Sequence, residues 1–185
     1  MSQLHSGQPQ WFQLSRKAIA SRLAAVPLFD GVPSAELNAL AGYCRCARYG
    51  RMACIYWRGA RADYLCIVYS GAVAMFVGYD GSVDLIMKIR KRNDYFGELG
   101  ILSGKTQPCN AVAQEETALI LIPAEEFMDF AWMHRSVLER LMGELTGRLV
   151  MSSYKLINTI YLYGCRRKAG FYDYPAAVLC GRGKL

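Results

Sequence analysis

The segment 95–113, YFGELGILSGKTQPCNAVA, carries the residues of this chain that are best suited to bind an anion. Glycine lets a backbone come close to a ligand, and successive amides in a turn form an anion-binding nest. Gly97, Leu99 and Gly100 would supply such amides. Glu98 would repel a phosphate, but its carboxylate can accept a hydrogen bond from a sugar hydroxyl. These residues predict a cradle for a nucleotide monophosphate, although a structural turn would read the same way.

The rest of the sequence offers few residues suited to metal binding or covalent catalysis. His5 and His134 are the two histidines, and both fall outside the predicted strands. A cupin-like β-roll enzyme would need a His/Glu metal set, which two such histidines do not supply. A serine or cysteine hydrolase would need a base beside its nucleophile, which they do not supply either. His134 is predicted to be a helix-surface residue, and we expect a protein that is not an enzyme.

The seven cysteines are an odd count whose spacing matches neither a tetrahedral zinc site nor an iron–sulfur run. Cys44 and Cys46 are predicted to point to one side of a strand. Cys54 and Cys66 lie among apolar residues, where a reduced thiol behaves as a small hydrophobe. We therefore expect structural thiols rather than metal ligands or redox centres. The remaining three are Cys109, Cys165 and Cys180.

Composition indicates a soluble domain of ordinary size. The chain has 185 residues, of which 53% are hydrophobic, and its net charge is +7. Its apolar runs stay short of the ~18 residues that span a bilayer, and its start lacks the apolar core of a secretory signal. We therefore expect a cytoplasmic protein with no membrane partner. The basic charge suits an anionic partner such as a nucleotide or nucleic acid, although solvated loops would also account for it.

The elements that must position the cradle follow from the hydrophobic periodicity. Residues 11–26 have helical spacing, and Ser34 is a suitable N-cap for a second short helix. Residues 45–122 alternate β-rich runs with glycine-centred turns, and Tyr79-Asp80-Gly81 predicts a hairpin. About eight strands at this spacing predict a compact antiparallel sandwich or jelly roll. After Pro123 the pattern is helical to about residue 163.

A heptad-like seam of mainly apolar residues runs along this last helix at alternating steps of four and three. A long helix that extends from a small β domain usually packs on a partner copy, so the seam predicts a parallel homodimer. The alternative is a helix that folds back on its own domain. The predicted interface residues are Leu138, Met142, Leu145, Leu149, Ser152, Leu156 and Thr159.

Four stretches of the chain resemble the cyclic-nucleotide-binding domain of the Crp–Fnr family of transcriptional regulators. LFDGVPSAELNAL resembles the opening helical segment, and YWRGARADYLCIVYSGAV resembles a strand pair of the family. YFGELGIL resembles the start of the phosphate-binding cassette, and RLVMSSYKLIN resembles part of the long dimerisation helix. The resemblance covers about residues 27–165. It implies a β-roll that binds a cyclic nucleotide such as cAMP, dimerises through the long helix and relays binding to a DNA-reading winged helix.

The resemblance also implies roles for individual residues. Gly97 and Glu98 match positions that meet the ribose. Ser152 and Ser153 match adjacent hydroxyl residues that contact the adenine, one from each subunit, although helical serines also bond back to the preceding turn. The full set of implied ligand-binding residues is Phe96, Gly97, Glu98, Leu99, Gly100, Pro108, Cys109, Ser152 and Ser153.

The cassette departs from the family at one position. Cyclic-nucleotide binders of the family carry an arginine there whose guanidinium pairs with the cyclic phosphate. Counting from the Gly-Glu pair places Pro108 at that position, and proline has no side-chain donor. Lys105 could supply a point charge without the bidentate fork of an arginine, and Cys109 could still offer its backbone N–H. We therefore expect weak or absent cAMP binding, or a different effector.

The expected class is α+β, with an antiparallel β-roll or jelly roll flanked by helices. The predicted divisions are an N-terminal helical extension at 1–26, the roll at 27–135, a dimerisation helix at 136–164 and a tail at 165–185. The tail is too short for the winged helix of the family and does not read as one. The first functional hypothesis is the effector-sensing and dimerisation domain of a regulator, with DNA binding only if a winged helix follows. The second is a stand-alone dimeric module that acts through protein contacts without binding DNA.

Overall fold

The computed structural model describes residues 8–77, 85–104 and 106–167, and for 85–87 and 160–167 it describes the backbone alone. The chain divides into two compact units, Met1–Leu141 and Met142–Leu185. The predicted hairpin turn at 79–81, Lys105 and the tail from residue 168 onward lie outside the described residues, as does His5. The side chains of Cys165 and Cys180 lie outside them as well.

The first unit contains two antiparallel sheets, which confirms the predicted β-roll. One sheet has the strand order β1-β2-β9-β4-β7, and the other has the order β3-β8-β5-β6. Seven of the nine described strands fall within the segment 45–122 that the sequence predicted to be β-rich, and β9 extends one residue beyond it. The strands are β1 Gln10–Phe12, β2 Arg45–Tyr49, β3 Cys54–Tyr56, β4 Tyr64–Ser70, β5 Val73–Val77, β6 Leu85–Arg90, β7 Tyr95–Phe96, β8 Asn110–Ala113 and β9 Thr117–Pro123.

Strand β9 lies at the centre of its sheet because its sequence, TALILIP, is apolar on both faces. It pairs with β2 on one side and β4 on the other, and six of its seven residues are buried. In strand β8 alternate residues enter different clusters: Ala111 and Ala113 join the same hydrophobic core cluster as Cys109, whereas Val112 packs in a second one. That alternation fixes the direction of the loop that precedes β8, which is the second half of the cradle.

Five helices accompany the strands in the described residues. They are α1 Arg16–Leu23, α2 Ser34–Leu40, α3 Glu98–Leu102, α4 Ala124–Met133 and α5 Arg135–Arg167, with a short 3-10 turn at Pro27–Phe29.

Two of the predicted helix starts are wrong. Residues 10–12 form β1 rather than the start of a helix, and Trp11 pairs with Ala47 of β2. Helix α1 begins only after Ser15, whose hydroxyl accepts a hydrogen bond from the N–H of Ala18 at 3.2 Å. Ser34 is the first residue of α2 and not its N-cap, because Pro33 occupies the cap position without a side-chain bond.

The predicted continuous helix after Pro123 is broken at His134. The backbone there is extended, with φ −116° and ψ 90°, so α4 ends and α5 starts afresh. The imidazole is half-buried rather than on a helix surface. Its Nε2 lies 2.6 Å from Oε2 of Glu36, and its ring packs against Phe130 with centroids 4.2 Å apart. The residue at the helix break is thus in contact with an element distant in sequence.

The five described cysteines are free thiols, and four of them are buried. Burial raises the pKa of Cys54 to about 11 and that of Cys66 to about 12. In Cys66 the neighbouring charge of Glu98 acts in the same direction. The described residues contain no group of three or more His, Cys, Asp or Glu side chains placed to hold a metal ion. Neutral thiols of this kind pack as small apolar groups.

The second unit contains the main part of α5. Within the single chain, Met142, Leu149 and Leu156 of the predicted seam expose 63%, 68% and 61% of their surface. Apolar residues outside the seam, including Met151 and Tyr154, are exposed as well. The homodimer itself stays a prediction. No helix in the described residues combines the length and the apolar character needed to cross a membrane.

Candidate functional site

Gly97 directs the chain out of β7 and into α3, and its position requires glycine for two reasons. Its φ is +94°, in the left-handed region. A Cβ added there would also lie only 2.8 Å from the carbonyl oxygen of Tyr64 in β4. Strand β7 is held against β4 at this point, with Phe96 paired to Cys66. The predicted glycine turn is therefore present and packed closely on a neighbouring strand.

The side chain that reaches this turn from the following loop is that of Gln107. Its backbone N–H donates to the carbonyl of Ala60 at 2.8 Å, and its carbonyl accepts from the N–H of Gly59 at 2.9 Å. A Cβ added at Gly100 would lie 3.0 Å from Oε1 of Gln107, and a Cβ added at Gly97 would lie 3.5 Å from Nε2 of Gln107. Gln107 is 3% exposed, and its Oε1 is buried without a hydrogen-bond partner among the described residues.

Pro108 does not occupy the place in the cradle that counting along the sequence predicted for it. Its side chain is exposed, whereas its neighbours Gln107 and Cys109 are both buried. The reason is the alternation that continues into β8, which turns Cys109 toward the core and Pro108 outward. Gln107 is thus the loop residue that faces the cassette glycines, and a ligand role for Pro108 and Cys109 stays a prediction.

Glu98 is buried beside Arg90, an arginine that no sequence motif marks. Nη2 of Arg90, at the end of β6, lies 4.0 Å from Oε1 of Glu98, and the two side chains are 7% and 2% exposed. The stretch KIRKR reads as one charged run. Strand alternation alone would have put Lys88 on the same face as Arg90, yet Lys88 is exposed. The sequence therefore held no clear signal for the burial of Arg90.

Tyr56 brings a phenol to the same buried region. Its ring lies 6.0 Å from the ring of Phe96, and its hydroxyl is buried without a hydrogen-bond partner among the described residues. Burial is the main cause that raises its pKa. The neighbouring thiols and Glu98 add to this rise, and Arg90 opposes it. The phenol therefore stays neutral and can donate a hydrogen bond as well as accept one.

The other predicted ligand residues lie in three different settings. Leu99 is exposed beside the turn, and the Phe96 side chain is part of the hydrophobic core. Ser152 and Ser153 belong to the second unit, on α5. The Ser153 hydroxyl donates to the Leu149 carbonyl at 3.0 Å, which is the bond back to the preceding turn that the sequence left open. Adenine contacts by the two serines stay predictions.

The cradle thus combines hydrogen-bond acceptors, a cation and a neutral phenol in one buried region. Glu98 and Gln107 supply oxygens that can accept from hydroxyl groups, and Arg90 supplies a guanidinium that can bind an anion. The glycine turn leaves room for a ligand to approach the backbone. Such a set suits a molecule that carries hydroxyl groups and a negative charge close together.

Comparison with known proteins agrees with this geometry. Residues 47–132 match the family model described as cyclic nucleotide-binding domain. The chain is 26% identical over 102 residues to the cyclic AMP receptor protein of Thermus thermophilus, which covers 55% of this chain and 47% of that protein. It is 25% identical over 131 residues to the cAMP-activated global transcriptional regulator Vfr of Pseudomonas aeruginosa, over 69% of this chain and 61% of the relative.

Among solved structures, that of the Thermus thermophilus catabolite activator protein superposes with a TM-score of 0.65 at 25% identity. The superposition covers 72% of this chain and 62% of the activator chain. The chain spans about half the length of the curated relatives it matches, since the first two are covered over 47% and 58%.

Proposed function

Residues 47–132 form a Crp-like cyclic nucleotide-binding domain, and from this premise we propose that the chain is the effector-sensing part of a transcriptional regulator. The effector is a nucleotide whose ribose hydroxyl donates to Glu98 and whose phosphate lies against the turn at Gly97. The observation that carries the proposal is the cradle itself. A left-handed glycine packs against β4, and the carboxylate that follows it is buried in the roll.

We further propose that cAMP binds this cradle weakly. The loop side chain beside the cassette glycines is Gln107, which carries no charge. A charge-assisted hydrogen bond contributes about 1.5–3 kcal/mol, so losing one costs roughly one to two decades in affinity. A different anionic effector with its own contacts is the second possibility for the same site.

Isothermal titration calorimetry with cAMP and cGMP tests the nucleotide assignment. We expect measurable but weak binding of at least one of them, and a loss of that binding in Glu98→Ala because the ribose hydroxyl loses its acceptor. Gly50→Ala is a suitable control, since a Cβ there would meet no atom within 4 Å and its φ lies outside the left-handed region. Unchanged binding in Glu98→Ala would contradict the proposed pose.

Dimerisation through α5 is the second part of the proposal. The exposed apolar residues of the predicted seam support it, because a single helix with such a seam normally covers it with a partner. Sedimentation equilibrium distinguishes a dimer from a monomer. DNA binding would require a reading domain in the longer protein, and a mobility-shift assay on the native-length protein tests it.

The alternative function is a dimeric module that acts through protein contacts without DNA. It is favoured by apolar residues of α5 outside the seam, since Val150, Met151, Tyr154 and Ile157 are exposed within the single chain. Sequence-specific retardation of DNA by the native-length protein would rule this alternative out.

A further inference from the structure

Arg90 stands apart from the basic residues around it. Lys88, Lys91 and Arg92 are exposed, as is usual for charged side chains, whereas Arg90 is buried in the roll. A buried guanidinium is strongly unfavourable unless charges or hydrogen bonds compensate for the lost hydration. Glu98 is one such charge, 4.0 Å away, and it is the residue expected to accept the ribose hydroxyl. The cation therefore lies within the candidate site and not on the surface.

The Arg90–Glu98 pair places a cation and a carboxylate side by side in the cradle. Nη2 of Arg90 lies 4.0 Å from Oε1 of Glu98, which is longer than the about 2.7–2.9 Å of a charge-assisted hydrogen bond. A guanidinium has five donors in a planar fork, which lets it interact with a carboxylate and with a second anion at the same time. The phosphate of a bound nucleotide would be such an anion.

Two further polar atoms support a ligand in this region independently of the arginine. The Tyr56 hydroxyl and Gln107 Oε1 are both buried and have no hydrogen-bond partner among the described residues. Buried polar groups in native proteins are nearly always satisfied by protein, water or ligand. Gln107 lies against the glycines that flank Glu98, and the charges of Glu98 and Arg90 both act on the Tyr56 phenol. Gln107 and Tyr56 are thus both neighbours of the cassette turn that carries Glu98.

We propose that Arg90 supplies the cation for the effector phosphate that the cassette loop lacks, clamping the anion from strand β6. This inference rests on the proposed function, since it concerns the same cradle. Because Arg90 lies close to Glu98, the phosphate and the hydroxyl of the ligand must also be close to each other. The ligand class is a nucleoside phosphate with a free hydroxyl on the ribose carbon next to a phosphate-bearing one.

The experiment compares the binding of cAMP, 2′-deoxy-cAMP and uncharged adenosine by titration calorimetry on the full chain. Arg90→Gln should weaken the binding of cAMP by a factor at least ten times larger than the factor by which it weakens the binding of adenosine, because adenosine carries no phosphate. Arg90→Lys should lie between the wild type and Arg90→Gln, since it keeps the charge and loses the fork. Arg92→Gln removes an exposed charge two residues away and should change binding less than two-fold.

Circular dichroism and thermal unfolding establish that each variant is folded, and Arg90→Lys carries the comparison if Arg90→Gln does not fold. An equal loss of cAMP and adenosine binding would mean that Arg90 acts only on the fold, and would overturn the inference. Unchanged cAMP binding in Arg90→Gln would overturn it as well, with the nucleotide site left intact. A strong dependence of 2′-deoxy-cAMP binding on Arg90, together with a lower affinity than for cAMP, would support the placement of Glu98 and Arg90 on neighbouring ligand groups.

If the wild-type chain binds no cAMP, the variant Gln107→Arg shows whether the inference alone fails or the proposed function fails with it. Binding by that variant alone would show a nucleotide cradle in which Arg90 is not sufficient, and would overturn the inference only. No binding by either chain would overturn the inference and the nucleotide assignment together.

Discussion

The substitution Gln107→Arg is expected to strengthen cAMP binding, and Pro108→Arg is its matched control. Both variants add one guanidinium to the same loop, at adjacent residues. Gln107 is buried against the cassette glycines, with Oε1 3.0 Å from a Cβ added at Gly100, whereas Pro108 is exposed. An arginine at position 107 would therefore point its guanidinium toward the cradle, whereas one at position 108 would point it toward solvent.

The magnitude follows from the new contact and from its surroundings. A charged hydrogen bond to the cyclic phosphate contributes about 1.5–3 kcal/mol, which corresponds to roughly 10- to 100-fold in affinity. Arg90 repels a second guanidinium and Glu98 attracts it, and the two effects act at similar range because the pair is 4.0 Å apart. We therefore expect a gain near ten-fold for Gln107→Arg. For Pro108→Arg we expect less than three-fold, since an exposed charge is screened by water and salt.

Titration calorimetry with cAMP at two salt concentrations measures both gains. A contact in the buried cradle should keep most of its effect at high salt, and any gain from Pro108→Arg should disappear. The reasoning would be refuted if Pro108→Arg strengthened binding more than Gln107→Arg. In that case the count along the sequence would have located the cassette position correctly, and the loop would have to rearrange on binding.

Three further outcomes are expected. Gly97→Ala should lower the free energy of unfolding by at least about 2 kcal/mol in urea titrations, because the alanine would be strained at a left-handed φ and would overlap with β4. In the control Gly50→Ala the new Cβ meets no atom within 4 Å, so the free energy of unfolding should change by under about 0.5 kcal/mol. Equal effects of the two substitutions would contradict the close packing at the turn. Leu149→Glu should weaken self-association at least ten-fold by sedimentation equilibrium, and Tyr154→Glu, outside the seam, should not; the reverse order would place the interface on another face. The Cys66 pKa is raised to about 12, so from about pH 9 upward the unfolded state loses this proton first and the free energy of unfolding should fall by up to about 1.4 kcal/mol per pH unit from this group. Cys66→Ala should show a shallower slope between pH 8 and pH 10 in urea titrations, and an unchanged slope would contradict the burial of this thiol.

The fold was largely predictable because strand patterns and turn residues are local signals. The alternation of β-rich runs with glycine-centred turns between residues 45 and 122 predicted the antiparallel roll, and the Gly97–Glu98 pair indicated the cradle. Other features depend on register and on contacts distant in sequence. Arg90 and Lys88 lie in the same regular stretch of the β5–β6 pairing, opposite Val73 and Met75, yet only Arg90 is buried, and it lies beside Glu98 of another element.

The position of the loop residue and the end of α4 were missed for related reasons. Counting from the Gly-Glu pair assumes a fixed loop length, but the backbone bonds of Gln107 to Gly59 and Ala60 decide which side chain faces inward. The break at His134 carries no glycine or proline in the sequence AWMHRS. The imidazole at the break contacts Glu36, which is almost a hundred positions away along the chain, so the sequence around His134 does not reveal this contact.

Strand β1 has a consequence for the behaviour of the protein in solution. It pairs in antiparallel register along β2, which would otherwise present a row of open backbone N–H and C=O groups at the border of the five-stranded sheet. Open sheet borders are templates on which other chains add strands and aggregate, and short covering strands are one way in which natural proteins avoid this. By covering β2, the three residues of β1 should reduce aggregation through this sheet border. We therefore expect a fragment that starts after Phe12 to aggregate more readily than the full chain, which makes it a poor choice for crystallisation or calorimetry.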